Sequence, residues 1–407
     1  MNIGYLMQAE EEIRKPPFNG PANHIRQVVS QFIDQGHRVR VLIRLDGKIW
    51  ATDDLVNYRL VTVRKMDRGP LRWVERIMRR IQSELKLPYL GFFESLRFAL
   101  ACRQELNATE VLLERMSWMS YGGAIAARWM QLPLVLEYNG DPLDDLSAKG
   151  LQPRGIQHQI SKILMEKNIK VAAHIVATGE GWRNSCMETW KVGGEQITTV
   201  ENGTRLVNLL AREQLRSFQS EEENIVNLVY LGGFYPWHGV SELLGAFGEV
   251  LKAGIQASLF LIGSGVGEPQ ARQLVAELGI EEKVRFTGQL AAEDYAPILA
   301  QADIGLSPYC GWKEYSGLKL LDYKASGLAT IASGQDGHPV TLRHGVTGLI
   351  VPPCDEAALA EAIQRLCDDP QLRKQMGRQA RLEAEKIHSW AHTAQQLERI
   401  LGEAVRA

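Results

Sequence analysis

The sequence of 407 residues has few cysteines and no long apolar run, and both absences limit what the protein can be. Its five cysteines are widely scattered and form no C-x-x-C pair, which fits a reducing cytosol and argues against a disulfide framework or a zinc site. No apolar segment reaches the roughly 18–20 residues that a membrane span requires. The N-terminus lacks a basic region and becomes acidic at once, so it does not resemble a signal peptide. We therefore predict a cytoplasmic protein.

Neither sign of charge predominates, because 46 basic residues stand against 48 acidic ones and the formal net charge is −2. This balance gives no support to a nucleic-acid partner. The sequence also lacks the Walker phosphate loop, the G-x-S-x-G nucleophile elbow and the H-E-x-x-H zinc motif. It has no Asp-x-Asp triplet, which argues against a nucleoside diphosphate held through a metal ion. We predict neither a metal site nor a bound cofactor.

The sequence does contain a regular alternation of short β-branched runs and long helical stretches. Continuous apolar strands separated by helices are typical of parallel sheets covered on both faces. The predicted strands are 3–7, 39–43, 110–113, 134–137, 175–178 and 197–200, followed by 226–231, 258–262, 284–287, 304–307, 329–332 and 348–351. We predict an α/β fold with two Rossmann-like, doubly wound domains, 1–204 and 205–387, which face each other across a ligand cleft. Residues 388–407 are predicted to form a helix that packs back on the first domain.

The most distinctive local pattern lies between the predicted strand 304–307 and the helix that follows it. Gly317 permits close backbone approach, and the helix beginning at Leu318 and Lys319 offers free N–H groups to an anion. Asp322, about one turn further, could accept two hydroxyl hydrogen bonds from a ribose, and Glu314 could hold other sugar hydroxyls. The alternative is an ordinary strand–loop–helix unit with acidic residues on its solvated face.

A second pattern follows the predicted strand 226–231. Gly232 and Gly233 end the strand, and a loop containing His238 leads into an amphipathic helix. Such a loop exposes backbone N–H groups without Cβ shielding, which suits a diphosphate. His238 would add a hydrogen bond or a partial charge. The alternative is a histidine that only packs beside a tryptophan.

Two more patterns mark the ligand edge of the first domain. Gly20 and His24 follow the first strand at a turn that leads into a helix, and Glu137 and Asn139 follow the buried strand 134–137. These residues predict polar groups directed at the cleft. Glu137 could instead be a structural carboxylate paired with Arg115 or with a backbone amide.

The segment 59–93 carries a local excess of positive charge in an otherwise balanced chain. Residues 59–86 contain nine basic and three acidic residues, and Trp73, Val74, Ile77 and Ile81 recur among the arginines at helical spacing. A basic amphipathic helix with aromatic residues can lie on an anionic bilayer. The alternative is a solvated helix whose apolar stripe packs on its own domain.

Taken in order, these motifs resemble the retaining GT-B glycosyltransferases of family 4, in the variant that carries Trp-His-Gly. The resemblance covers nearly the whole chain. The matching phrases are residues 19–20, 35–39, 132–140, 200–203, 232–239, the acidic pair Glu314 and Asp322, residues 325–332, and Trp390.

The resemblance implies a metal-independent transfer of a sugar from a nucleotide-sugar to a hydroxyl acceptor, with retention at the anomeric carbon. It assigns the donor sugar to Glu314 and the ribose to Asp322. It assigns the diphosphate to a set of residues in both domains: Gly20, Gly232, Gly233, His238, Gly317, Leu318 and Lys319. Glu137, Asn139 and His238 would serve the reacting centre, and His24 and Arg115 the acceptor side.

The sequence departs from the family pattern at the phosphate-binding positions. The family's arginine is Gly233 here, its lysine is His238, its cleft histidine is Asn139, and its second glutamate is Asp322. The resemblance implies a UDP-sugar first and GDP-mannose second as donor, and a glycan, a lipid-linked molecule or a small molecule as acceptor. The alternative function is a non-catalytic scaffold that binds a sugar nucleotide or a glycan. The basic segment 59–93 adds the hypothesis of peripheral contact with the inner face of the membrane.

Overall fold

A computed structural model of the chain describes residues 1–16, 18, 20–85, 91–148, 152–219, 225–310, 317–335, 339 and 341–407. The chain forms two compact units. Unit 1 comprises Met1–Glu201 and Thr393–Ala407, and unit 2 comprises Asn202–His392. The sequence placed the corresponding boundaries after residues 204 and 387.

Unit 1 is built on a sheet of eight strands with the order β4-β3-β2-β1-β5-β6-β7-β8. The strands are β1 Asn2–Met7, β2 Arg38–Leu45, β3 Lys48–Thr52, β4 Arg59–Val61, β5 Val111–Arg115, β6 Leu134–Tyr138, β7 His174–Ala177 and β8 Ile197–Thr199. β2, β1, β5, β6, β7 and β8 run parallel, as the apolar runs predict. Their carboxyl ends therefore share one edge, which is the ligand edge of such sheets.

β3 and β4 extend the sheet in the antiparallel direction and were not predicted. β2 turns into β3 through Asp46 and Gly47, whose φ angles of 53° and 66° fit the two-residue turn that joins hairpin strands. The Asp-Gly pair was a readable hairpin signal.

Unit 2 is built on a six-stranded parallel sheet with the order β11-β10-β9-β12-β13-β14. The strands are β9 Val226–Leu231, β10 Ala257–Ile262, β11 Val284–Gly288, β12 Ile304–Ser307, β13 Ala329–Ser333 and β14 Gly348–Val351. All six agree with the predicted runs to within a residue at each end. Crossover connections place β9 next to β10 on one side and β12 on the other, which makes the carboxyl end of β9 a switch point for ligand binding.

Helices connect the strands. In unit 1 they are α1 Gly20–Asp34, α2 Arg64–Asp67, α3 Pro70–Glu84, α4 Phe92–Glu105, α5 Gly122–Met130, α6 Pro142–Ala148, α7 Gly155–Val171 and α8 Glu180–Trp190. In unit 2 they are α9 Leu206–Leu209, α10 Val240–Lys252, α11 Glu268–Leu278, α12 Ala292–Ala300, α13 Leu318–Ala325, α14 Glu356–Asp368 and α15 Pro370–Ile387. The last helix, α16, is Trp390–Arg406. Among the described residues, no helix is both long and apolar enough to cross a bilayer.

One expectation about the cysteines is wrong. Cys310, which follows β12, and Cys354, which follows β14, form a disulfide with their Cα atoms 4.7 Å apart. The wide spacing in sequence concealed this pair, because β12 and β14 both flank β13 in the sheet and their ends meet in space. Cys102, Cys186 and Cys367 are free. The scattered cysteines therefore no longer support a reducing compartment.

Candidate functional site

In unit 2, the predicted phosphate-binding residues lie together at the carboxyl ends of β9 and β12. We call Tyr230, Gly232, Gly233, His238, Tyr309 and Lys319 the donor cluster. Lys319 Nζ lies 4.9 Å from the ring centre of Tyr230 and 4.7 Å from that of Tyr309. The rings of His238 and Tyr309 are 4.9 Å apart. Three chain segments, 230–238, Tyr309 and Lys319, thus meet at the switch point of the sheet. They bring the Lys319 cation together with the half-buried rings of His238 and Tyr309 and the buried ring of Tyr230.

The protonation of His238 follows from its contacts. Its Nδ1 lies 2.6 Å from the carbonyl oxygen of Gly233, and because a carbonyl can only accept, Nδ1 carries the proton. Burial and the nearby charge of Lys319 lower the pKa of His238 to about 4. At neutral pH the imidazole is therefore uncharged, and its Nε2 presents a lone pair.

Two glycines allow the donor cluster to form. A Cβ on Gly232 would lie 2.9 Å from the hydroxyl of Tyr230 and 3.0 Å from Nζ of Lys319. Gly239, after His238, has φ of 62°, and a Cβ there would overlap the carbonyl oxygen of Pro308 at 1.6 Å. The loop after β9 can approach Pro308, which follows β12, this closely only with glycine at position 239.

The start of α13 adds backbone donors to the same place. Gly317 precedes the helix, Leu318 and Lys319 form its first positions, and no side chain in the described part of the chain caps it. The first N–H groups of a helix lack partners within the helix, and its dipole favours negative charge there. Gly317, Leu318 and Lys319 thus combine the amides at the start of α13 with a side-chain cation.

Asp322 lies three residues after Lys319 on α13, so both side chains occupy neighbouring positions on the helix surface. Its Oδ1 accepts a hydrogen bond of 2.6 Å from the hydroxyl of Thr204, and its Oδ2 accepts one of 2.9 Å from the hydroxyl of Tyr295. Burial raises the pKa of Asp322 to about 6, although both hydrogen bonds oppose that shift. A ribose would have to share these oxygens with the two hydroxyls. The ribose-binding role remains a prediction.

Glu314, the predicted partner of Asp322 in the acidic pair, lies outside the described residues. Its assignment to the donor sugar remains a prediction. The described residue nearest before it, Cys310, donates a backbone hydrogen bond of 2.9 Å to the carbonyl of Trp237. The disulfide therefore includes a residue, Cys310, that contacts the His238 loop directly.

In unit 1, a second polar cluster lies at the carboxyl ends of β1 and β6. His24 Nε2, from α1, lies 3.1 Å from Glu137 Oε1, and the hydroxyl of Tyr5 donates a hydrogen bond of 2.5 Å to Glu137 Oε2. Glu137 is 1% exposed and His24 5%. Burial opposes ionisation of Glu137, but His24, Tyr5 and Arg115 together hold its pKa below the usual value. The site has a carboxylate that stays charged although it is buried.

The other residues predicted for this edge of unit 1 are Arg115, Asn139 and Gly20. Arg115 lies beside Glu137 in the register of β5 and β6, and the hydrogen-bonded contact of Glu137 is with His24. Gly20 is the first residue of α1. Both polar atoms of the Asn139 side chain are inaccessible and without a hydrogen-bond partner among the residues described. A buried amide in that state is suited to a ligand hydroxyl.

Sequence reasoning missed Tyr5, Tyr295 and Thr204, which bind the two predicted carboxylates. Each belongs to a segment distant in sequence from the carboxylate that it contacts, so only the fold brings them together. Tyr5 left a weak signal, because it is a hydroxyl-bearing residue within an apolar first strand. Within the described ranges, no three metal-ligating side chains gather in one place.

The architecture and the donor cluster define an α/β protein with two Rossmann-like parallel-sheet units, and the solved structures it resembles are GT-B glycosyltransferases. One of these, Anabaena Alr3699/HepE in complex with UDP, matches 99% of this chain and 100% of its own with a TM-score of 0.71 and 16% identity. At that identity, the likeness establishes the fold.

The family comparison finds a similarity within unit 2. Residues 211–383 match the family model described as "Glycosyl transferases group 1". A D-inositol 3-phosphate glycosyltransferase of Corynebacterium efficiens is 33% identical over 186 residues, which is 44% of this chain and 43% of the relative. A phosphatidyl-myo-inositol mannosyltransferase of Mycobacterium leprae is 29% identical over 51% of this chain and 54% of its own. The matches thus span about half the length of these curated relatives.

Proposed function

We propose that the chain is a glycosyltransferase that moves a hexose from a nucleoside-diphosphate sugar to a hydroxyl group of an acceptor. The observation that carries this proposal is the position of Lys319 beside Gly232 and His238 at the switch point of the unit 2 sheet. This cluster lies inside the segment that matches the glycosyltransferase family model. A diphosphate bound there would meet a cation, the N–H groups of α13 and a glycine loop that allows close approach.

The proposed reaction replaces one bond at the anomeric carbon by another. The bond from C1 to the diphosphate oxygen breaks, the acceptor oxygen bonds to C1, and the acceptor proton passes to the departing diphosphate. Lys319 and the start of α13 counter the charge that develops on this leaving group, which is the step where fixed electrostatic groups contribute most. We include in the proposal that no metal takes part and that the anomeric configuration is retained, with Glu314 holding the donor sugar and Asp322 the ribose.

We further propose that unit 1 orients the acceptor. Glu137 and the buried amide of Asn139 are the polar groups available at its ligand edge, and His24 and Arg115 fix the charge state of Glu137. A glycan, a lipid-linked molecule or a small molecule remains the acceptor class. The two curated relatives bear names that refer to inositol phosphates, which supports a polyol acceptor. The cytoplasmic location remains part of this proposal.

One observation favours the second candidate, a scaffold that binds a sugar nucleotide without turnover. The two positions where the resembling family has cations hold Gly233 and an uncharged His238. Lys319 is then the described cation of the donor cluster. Whether Lys319 contributes to turnover therefore distinguishes the transferase from the scaffold.

The test combines binding with turnover. Thermal unfolding is measured with UDP, GDP and ADP, since a ligand that binds only the folded state raises the melting temperature. Release of nucleoside diphosphate from UDP-sugars and GDP-mannose is then followed with and without polyol acceptors. We expect stabilisation by UDP first and slow release that an acceptor accelerates. Stabilisation without any release supports the scaffold, and no stabilisation by any nucleotide overturns both.

A matched pair of variants tests the role of Lys319. We expect Lys319→Ala to lower turnover by at least about tenfold, because the loss of one charged contact costs about 1.5–3 kcal/mol. Binding of the nucleoside without phosphates should change little. Lys252→Ala, at an exposed position of α10, is the control and should retain full turnover. The anomeric configuration of the product, read by NMR, checks retention, and an inverted product contradicts it.

A further inference from the structure

The surface helix α3 is oriented against the usual pattern, because most of its apolar residues face solvent and one of its two acidic residues, Glu75, faces the protein. Glu75 is the buried residue of this helix. Its Oε2 accepts a hydrogen bond of 2.6 Å from Arg97 of α4, and its Oε1 accepts one of 3.0 Å from Arg79. The helix is therefore attached to unit 1 through ionic contacts and one partly buried leucine, Leu71.

The side chains left in solvent form a continuous apolar stripe. Trp73 is 67% exposed, and the stripe continues along α3 and just beyond it. Its further members are Val74, Ile77, Met78, Ile81, Leu85 and Phe92. At about 100° per residue, positions 73, 74, 77 and 81 fall within roughly a quarter to a third of the helix circumference. The alternative that this stripe packs on its own domain is thus wrong, and an exposed apolar patch of this kind marks an interaction surface.

A row of arginines borders the stripe on one side. Arg72, Arg76 and Arg80 are exposed and follow one another at intervals of four residues. Of the acids on α2 and α3, Glu75 is buried and Asp67 forms an ion pair with Arg97, whereas Glu84 pairs with Arg80 across 2.8 Å. Arg72 and Arg76 are therefore the arginines of the row without an ion pair to an acid in the described part of the chain. The exposed face of α3 therefore presents the positive charges of Arg72 and Arg76 beside the apolar stripe.

We propose that the exposed face of α3 docks on the surface of an anionic lipid bilayer, with the apolar stripe at the acyl boundary and the arginine row at the headgroups. Charge complementarity selects this occupant. A second copy of the chain in a two-fold contact would place the same face against itself and bring the two arginine rows together. An anionic bilayer offers an apolar layer and negative charge side by side, which is the pattern that this helix presents.

The position of α3 in unit 1 indicates which edge of the sheet would lie near a docked bilayer. Arg79, near the end of α3, contacts Glu94 in the first turn of α4. That turn adjoins Met119, which follows β5, through Ser95. The C-terminal half of α3 therefore lies near the carboxyl edge of the sheet, where His24 and Glu137 are found. A docked bilayer would lie close to the edge that we assign to the acceptor.

The test uses the whole chain, without donor or acceptor, so it fails or succeeds independently of the proposed transferase activity. Co-sedimentation is compared for vesicles of phosphatidylcholine alone and with phosphatidylglycerol. We expect binding to the anionic vesicles at low salt, at least tenfold weaker binding to neutral ones, and loss of binding in high salt. No sedimentation with anionic vesicles at low salt overturns the proposal.

Two variants and two controls assign the binding to α3. Trp73→Ser/Ile77→Ser/Ile81→Ser removes the apolar stripe, and Arg72→Glu/Arg76→Glu/Arg80→Glu reverses the arginine row. Arg79 is left intact because it holds Glu75 and Glu94. The controls make the same changes at exposed sites elsewhere: Ile156→Ser/Ile163→Ser/Leu382→Ser, and Lys170→Glu/Arg285→Glu/Lys386→Glu. We expect at least tenfold weaker vesicle binding in both α3 variants and nearly unchanged binding in both controls.

Circular dichroism and melting temperature verify that each variant is folded. Equal losses in an α3 variant and its control contradict the proposal. The proposal is also contradicted if the chain does not bind vesicles and light scattering shows a dimer that the apolar-stripe variant dissociates. A second copy of the chain would then cover this face.

Discussion

Nδ1 of His238 donates its proton to the carbonyl oxygen of Gly233 across 2.6 Å, and this bond determines what the rest of the imidazole can do. With Nδ1 protonated and a pKa of about 4, the ring has no second N–H at neutral pH. A phosphate oxygen cannot accept from a lone pair, so His238 can serve a diphosphate only after taking up a proton.

Binding of a nucleoside diphosphate should therefore be linked to protonation of His238. We expect the affinity to rise as the pH falls from 7 towards 5, with proton uptake detected by calorimetry in buffers of different ionisation enthalpy. His238→Ala is the reference, because the phosphate group of the ligand titrates in both proteins. A pH dependence that is identical in the two proteins shows that His238 does not donate to the phosphate.

Asp322 should stabilise unit 2 whether or not it binds a ribose. Asp322→Ala leaves the hydroxyls of Thr204 and Tyr295 without their acceptor, so we expect a loss of about 1–3 kcal/mol in the free energy of unfolding at pH 7. Urea denaturation measures this loss. An unchanged stability would mean that the two hydrogen bonds contribute nothing net.

The pH dependence of stability provides a second readout for the same residue. The folded state raises the pKa of Asp322 from 3.8 to about 6, so it binds this proton more tightly than the unfolded chain. The contribution is complete below about pH 4 and is lost as the pH rises through about 6. Wild type should therefore lose stability relative to Asp322→Asn over this interval. A difference between the two proteins that is constant with pH contradicts the raised pKa.

The disulfide between Cys310 and Cys354 should stabilise unit 2. It spans 44 residues, and loop-closure entropy gives an upper value of about 4 kcal/mol for a loop of that size. Cys310→Ser/Cys354→Ser should unfold at lower urea than wild type, whereas Cys367→Ser, at a free cysteine, serves as the control. Thiol titration of the denatured chain should find three thiols before reduction and five after it.

The buried pair of His24 and Glu137 should show strong coupling. His24→Ala leaves the Glu137 carboxylate buried with fewer partners, and breaking a buried pair in this way costs about 3–5 kcal/mol. Adding Glu137→Gln removes the uncompensated charge, so the double variant should recover part of the loss. Denaturation of the two single variants and the double variant completes the cycle, and strictly additive losses would exclude the coupling.

The parallel strands of both sheets were predictable because a strand that is buried on both faces appears in the sequence as a continuous apolar run. β3 was not predicted because it is not a continuous apolar run: Lys48 is exposed and Trp50 is partly exposed, so polar and apolar positions alternate. Asp46 and Gly47 were the signal for that hairpin.

The site was predictable to the extent that it follows strand ends. His238 and Lys319 were found because each lies after a strand of unit 2, at the edge where parallel sheets bind ligands. The orientation of α3 was not predictable, because its apolar spacing is the same whether the stripe faces the core or the solvent. Arg97, a residue of another helix, decides the orientation by binding Glu75.

The two outermost strands of the unit 1 sheet, β4 and β8, are three residues long each. A sheet exposes unpaired backbone groups at its edges, and a long edge strand would offer them to a neighbouring chain. Here Arg59 and Leu60 of β4 are exposed, and the strand ends before it can serve as a template. Backbone-driven aggregation at this edge is therefore disfavoured, so the exposed apolar stripe of α3 is not accompanied by a long, unpaired edge strand at β4.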